Sequence, residues 1–168
     1  FNSSGNVYTT DAGMTNYVWT VVGGTITAGG TGTDNTVTVT WNGVGPYSVN
    51  VNYNNGNGCT AALPTVLNIT VNPLPVPALA GPTPVCFNSS GNVYTTDAGM
   101  TNYVWTVVGG TITAGGTGTD NTVTVTWNGV GPYSVSVNYN NGNGCTAAVP
   151  TVLNITVNPL PVPALAGP

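Results

Sequence analysis

Between residues 36 and 41 the chain alternates strictly, Thr36-Val37-Thr38-Val39-Thr40-Trp41. Successive side chains of a β-strand point to opposite faces, so Val37, Val39 and Trp41 share one face and three threonines the other. One apolar face and one polar face is the pattern of a half-buried antiparallel strand. The same parity recurs in Tyr47-Ser48-Val49-Asn50-Val51-Asn52-Tyr53, aromatic and valine inward, and in residues 65–71, where Leu67, Ile69 and Val71 line one face. Asn16 to Val22 places Tyr17, Trp19 and Val21 on one side. Shorter strands are expected at Asn6 to Thr10 and Thr25 to Ala28. Between them lie Asp11-Ala12-Gly13-Met14, Gly23-Gly24, Gly29 to Gly32, Asn42 to Pro46 and Asn54 to Gly58, all rich in residues that tolerate turn conformations. No run has helical periodicity.

The whole pattern occurs twice. Shifting the chain by 86 positions overlays Phe1 to Pro82 on Phe87 to Pro168, and only Asn50/Ser136 and Leu63/Val149 differ. Near-identity suggests part of a recently duplicated array rather than two domains diverged to build one active site. The period places a cysteine before Phe1, as Cys86 precedes Phe87, and makes 161–168 the opening of a further copy. Residues 73–84 hold five prolines, which lack the ladder donor and suit a short stiff connector followed by an edge strand. The expected domains are therefore 1–74, a repeat without its opening strand; 75–160, a complete repeat; and 161–168, the opening strand of the next. About seven short strands per unit of this length form an all-β sandwich.

Composition sharpens this picture. The chain has 24 Gly and 13 Pro in 168 residues, with abundant Thr, Val and Asn, which favours strands and turns. It contains no Lys, Arg, His or Glu, and its only carboxylate side chains are Asp11, Asp34, Asp97 and Asp120. Without cations, neither a nucleic-acid backbone nor an anionic membrane has anything to bind. A hydrophobic share of 40% in clean alternation argues against disorder. No apolar run is long enough for a spanning helix, and no basic leader precedes one.

Taken together, Pro84-Val85-Cys86, Val93-Tyr94-Thr95, Tyr103-Val104-Trp105-Thr106-Val107, Gly109-Gly110-Thr111-Ile112, Thr122 to Trp127, Gly131-Pro132-Tyr133-Ser134-Val135, Asn143-Gly144-Cys145 and Leu153 to Val157 resemble a known family. It is that of the PKD-like, immunoglobulin-like repeats of very large bacterial surface proteins, many exported by the type IX system. The resemblance spans the whole repeat and implies an extracellular β-sandwich serving as a stalk, adhesin or filament module, with no catalytic residues to carry over.

Three cysteines are present, Cys59, Cys86 and Cys145. A Cys86 to Cys145 bridge would tie the opening strand to the closing hairpin, stabilising the domain by about 4 kcal/mol on a chain-entropy argument, and Cys59 would pair with the cysteine preceding Phe1. The competing pairing, Cys59 to Cys86, would staple neighbours across the connector. Either implies an oxidising, extracellular compartment.

No His and no CxxC leave zinc without a ligand set, and no cofactor is expected. Catalysis by a nucleophile and base lacks its base. The two aspartates of a repeat, 23 positions apart, read as turn formers before calcium ligands or general acids. Trp19, Trp41, Trp105 and Trp127, alternating with valine, read as core before sugar platforms. The outward threonines read as solvated before ice-binding. The expected function is a non-catalytic link in a cell-surface filament or adhesin stalk, whose partners are further copies of the repeat, along the chain and laterally. The uncharged Thr, Ser and Asn faces permit such lateral packing. The alternative is a carbohydrate-binding module engaging surface glycans, with aromatics exposed on one platform.

Overall fold

A computed structural model describes residues 2–167 and contains no helix among them. The chain divides after Pro73 into two compact units.

Unit 1 consists of β1 (Ser3–Thr9), β2 (Thr15–Val22), β3 (Thr25–Gly29), β4 (Thr36–Trp41), β5 (Ser48–Asn54) and β6 (Thr65–Asn68). They form two three-stranded antiparallel sheets, ordered β1-β4-β3 and β2-β5-β6. The alternation of β4 is realised in full: Val37, Val39 and Trp41 are buried and its threonines are half-buried. With Val49 they make the core, against which Tyr8, Trp19, Val21, Tyr47, Ile69 and Val71 pack.

Two backbone features shape β2. Asn16 adopts φ 53° beside a register shift in the β2–β5 ladder, a left-handed conformation that Asn tolerates better than other non-glycine residues. At the end of the strand Gly23 has φ 78°, and a Cβ there would come within 2.5 Å of the Tyr47 ring. Backbone conformation and packing together therefore require glycine at this turn.

Unit 2 repeats these strands as β9 (Asn92–Thr96), β10 (Thr101–Val108), β11 (Thr111–Gly115), β12 (Thr122–Thr126), β13 (Ser134–Asn140) and β14 (Thr151–Asn154), and adds β7 (Leu79–Ala80), β8 (Val85–Cys86) and β15 (Val157–Asn158). β7 extends one sheet to β11-β12-β9-β7, facing the sheet β10-β13-β14, while β8 pairs with β15 in parallel. The opening segment thus leaves the first sheet and pairs, through β8, with the stretch that follows β14. Its break falls at Gly81 to Pro84, where Pro82 and Pro84 have no amide to offer a ladder.

The closing run, expected as one strand over residues 65–71 and again over 151–157, is split. β14 stays on β13, and after Ile155 the chain turns its ladder toward the opening segment: the Thr156 amide donates to Thr83 Oγ1 at 3.1 Å, and Thr156 O accepts from the Val85 amide at 2.9 Å. Periodicity sees the continuous apolar face of Leu153, Ile155 and Val157, whereas the change of hydrogen-bond partner depends on a segment some 70 residues away in sequence. With β7–β8 and β14–β15 each counted as one interrupted strand, unit 2 is a seven-stranded sandwich.

One of the two substitutions between the copies has a visible consequence. Asn50 Oδ1 in β5 is buried and has no hydrogen-bond partner among the described residues. The equivalent position carries Ser136. Asn50→Ser is expected to stabilise unit 1 by about 1 kcal/mol, since an unpaired buried carbonyl costs that much or more. A urea titration of the variant against the parent chain measures the difference.

Candidate functional site

The two units are nearly identical in sequence and differ in structure by the segment that precedes Phe87. In unit 2 residues 77–82 of this segment are fastened at five points. Thr151 Oγ1 donates to Pro77 O at 2.6 Å. The Ala78 amide donates to Asp97 Oδ2 at 2.9 Å, and Thr96 Oγ1 donates to Ala78 O. Leu79 and Ala80 pair with Thr96 and Thr95. The Tyr94 hydroxyl, which accepts from Trp127 Nε1 at 3.0 Å, donates to Pro82 O at 3.0 Å. Gly81 lies so close over the Tyr94 ring that a Cβ would sit 2.1 Å from it, so any larger residue would push the segment off the sheet. Leu79 and Val85 join the core of the unit.

The residues beneath this segment are accordingly sealed: Tyr94 and Val137 are 0% exposed, Tyr139 3% and Trp105 9%. Their counterparts Tyr8, Val51, Tyr53 and Trp19 are only half-buried. In unit 1 the same surface is an open groove of about 530 Å³, lined by Tyr8, Thr10, Trp19, Val51, Thr65 and Leu67 among others. The groove coincides with the position that the opening segment takes in unit 2.

The aspartates serve two different local purposes. Asp34 and Asp120 accept from the amide and hydroxyl of Thr31 and Thr117, and these bonds hold each carboxyl below its usual range. Asp97 instead joins three elements, accepting from Tyr139 Oη at 2.6 Å as well as from Ala78. Asp11 accepts from Tyr53 in the same way. This clasp was not legible in the sequence, where Asp97 and Tyr139 lie 42 positions apart; an aspartate and a tyrosine at conserved offset in both copies were the only available signal.

The Tyr139 hydrogen bond, then the Ala78 amide, lower the carboxyl of Asp97 from 3.8. Burial first, and the Asp97 carboxylate second, raise the Tyr139 phenol from 10.0 to about 12. A depressed acid contributes stability that is present above 3.8 and lost as pH falls through its folded value. A raised phenol contributes stability that is present below 10 and lost as pH rises toward 12. Unit 2 is therefore expected to hold a stability plateau through neutral pH and to weaken on both sides. Urea midpoints across the pH range check this, with Tyr139→Phe reducing the alkaline loss and Asp97→Asn the acid loss.

The cysteines are not where the sequence suggested. Cys59, Cys86 and Cys145 are all free thiols, the first two exposed. The expected Cys86–Cys145 bridge is not formed. Cys86 lies beside Asn158, beyond the Ser134 end of β13, whereas Cys145 is bonded to Asn141 past the Asn140 end. A seven-residue strand separates them by about 20 Å, far more than the ~7 Å between Cα atoms that a disulfide spans. Cys86 ends the opening strand and Cys145 precedes the closing one; because these strands run parallel, that order puts the thiols at opposite ends. The partner expected for Cys59, before Phe1, lies outside the described residues.

The indoles are all tethered. Trp41 and Trp127 are buried and donate to Tyr8 and Tyr94 hydroxyls; Trp19 and Trp105 donate to Asp34 O and Asp120 O. Among the described residues no cluster of three or more metal-ligating side chains occurs.

A family model described as PKD-like domain matches residues 72–155. No curated protein sequence matches the chain. Among solved structures, the chain is similar to the fibronectin(III)-like modules of Clostridium thermocellum CbhA, at 16% identity and a TM-score of 0.38, over 95% of this chain and 87% of that one. It is also similar to extracellular cadherin domains 1–5 of protocadherin gamma B2, at 12% identity and a TM-score of 0.33, over 86% of this chain and 32% of that one. At these TM-scores the two likenesses carry no functional argument.

Proposed function

This chain belongs to the PKD-like domain family, and from that premise we propose that it is a non-catalytic structural module of an extracellular surface filament or adhesin stalk, joining domains end to end. One observation carries the reading. The polypeptide enters unit 2 beside Asp97 and Thr151 and leaves it past β15, at the Ser134 end of β13. A sandwich with its first strand beginning at one end and its last strand leaving at the other is built to transmit a pull along its length, because load enters and exits in line with the strands.

The chemistry of the surface supports the same reading. The chain has no His, Lys or closely spaced carboxylates to activate a nucleophile and no side-chain cation to attract an anionic ligand. Its indole N–H groups are engaged with protein acceptors, which favours linkage over the carbohydrate-binding alternative, where aromatic faces stack on sugar. Repeated polar faces without charge allow neighbouring threads to pack side by side. Negative-stain microscopy of the native material is the test: beaded threads with a regular domain spacing are expected, and dispersed single particles would overturn the reading. A glycan titration that shifts tryptophan emission would favour the carbohydrate-binding alternative instead.

A further inference from the structure

We propose that the parallel pair of β8 and β15 is a mechanical lock: tension drawn through unit 2 loads these two strands in shear, so the unit holds until the hydrogen bonds between them break together. The proposal rests on the linking role above and gives it the element that resists the pull.

Direction decides how a strand pair fails. The hydrogen bonds of a ladder run across its strands. Drawn apart from one end they break singly, whereas sliding one strand past the other strains all of them at once. β8 and β15 run parallel, with Val85 opposite Val157 and Cys86 opposite Asn158. Tension reaches β8 through the residues that precede it and leaves β15 through the residues that follow it. In a parallel pair those loaded points lie at opposite ends of the ladder, so the strands are drawn past each other. An antiparallel pair would put both points at one end and would unzip.

The bonds that resist this sliding are specific. The Val85 amide donates to Thr156 O at 2.9 Å, the Phe87 amide to Asn158 O at 2.8 Å, and the Thr156 amide to Thr83 Oγ1 at 3.1 Å. Val85 and Ile155 are buried and Val157 packs against the same core, so sliding also drags apolar side chains out of their contacts. β7 meets the pull first, but its ladder is to β9, an interior strand of the unit. Among the described residues, β8 with β15 is the only ladder that joins the entering segment of unit 2 directly to the leaving one.

The test holds the 168-residue chain at constant force between handles on its two ends, under reducing conditions. The released length identifies the unit, Leu79 to Asn158 for unit 2 against Ser3 to Asn68 for unit 1. Two variants each delete one exposed threonine hydroxyl. Thr83→Val removes the acceptor of the Thr156 amide, inside the lock. Thr111→Val removes the donor to Asn128 Oδ1 at 3.0 Å, on β11 and outside the path of the load. Forced unfolding is governed by the unfolding rate, and a bond broken on the way to the transition state acts on that rate in full. Thr83→Val is therefore expected to unfold unit 2 about 5-fold faster under force, the effect of one hydrogen bond, and Thr111→Val to change the rate by less than about 2-fold. Urea midpoints of the two variants should shift alike, so that the contrast appears only under tension. Equal acceleration by both variants, or none by Thr83→Val, would overturn the lock. Either result leaves the linking role standing, because that reading falls only if the native material shows no threads.

Discussion

Calorimetry of the intact chain at low concentration is expected to resolve two transitions, with unit 1 unfolding first. The two units share the same strands and differ at two positions, so the difference between them isolates the opening segment. With it, Tyr94, Trp105, Val137 and Tyr139 are sealed from water; without it, Tyr8, Trp19, Val51 and Tyr53 remain half-exposed. The gain from burying Leu79, Val85 and the ring faces beneath them is partly offset by ordering the segment, a cost that its prolines reduce. A net gap of about 3 kcal/mol, the scale of one fully buried large side chain, is the expected size. Hydrogen exchange can assign the transitions despite the repeated sequence, because peptides containing Asn50 and Ser136 differ in mass. The amides of β5 should exchange before those of β13. Leu79→Asp should lower the second transition toward the first. A single transition with simultaneous exchange of β5 and β13 would show that the segment contributes nothing.

The second large effect is at Trp127. Its ring is 0% exposed, meets Tyr94 and Tyr133 edge-on at centroid distances of 6.0 and 5.9 Å, and spends its N–H on the Tyr94 hydroxyl. Trp127→Ala would open a cavity at the centre of the sandwich and remove the donor that the Tyr94 hydroxyl accepts from, so a loss of about 3–5 kcal/mol is expected. Small domains have total stabilities of only about 5–15 kcal/mol, which puts unit 2 close to unfolding at 25 °C. Urea titration followed by the remaining tryptophans measures it, and Val104→Ala, at a position 62% exposed on the neighbouring sheet, should change stability by less than about 0.5 kcal/mol. Equal losses at the two positions would mean that Trp127 is not the centre of the core.

Both predictions depend on what alternation can and cannot convey. The inward rows were legible because parity is a local property: Val37, Val39 and Trp41 are buried together, as are Val123, Val125 and Trp127. The glycine turns were legible for the same reason, since Gly23 and Gly109 each stand where φ is near 78°. The pairing of thiols was not legible, because it depends on whether the opening and closing strands run parallel or antiparallel, and nothing within either strand encodes the direction of the other. The Asp97 clasp was hidden in the same way, its three members coming from segments remote in sequence.

What the sequence alone determined is the repeat, the all-β class, the faces of the strands and the absence of any side-chain cation, all of which follow from residue type and spacing along the chain. Only the tertiary structure decided that the opening segment switches sheets and that Cys86 and Cys145 stand at opposite ends. Those outcomes arise from hydrogen bonds between segments some 70 residues apart, and nothing within either segment encodes its distant partner.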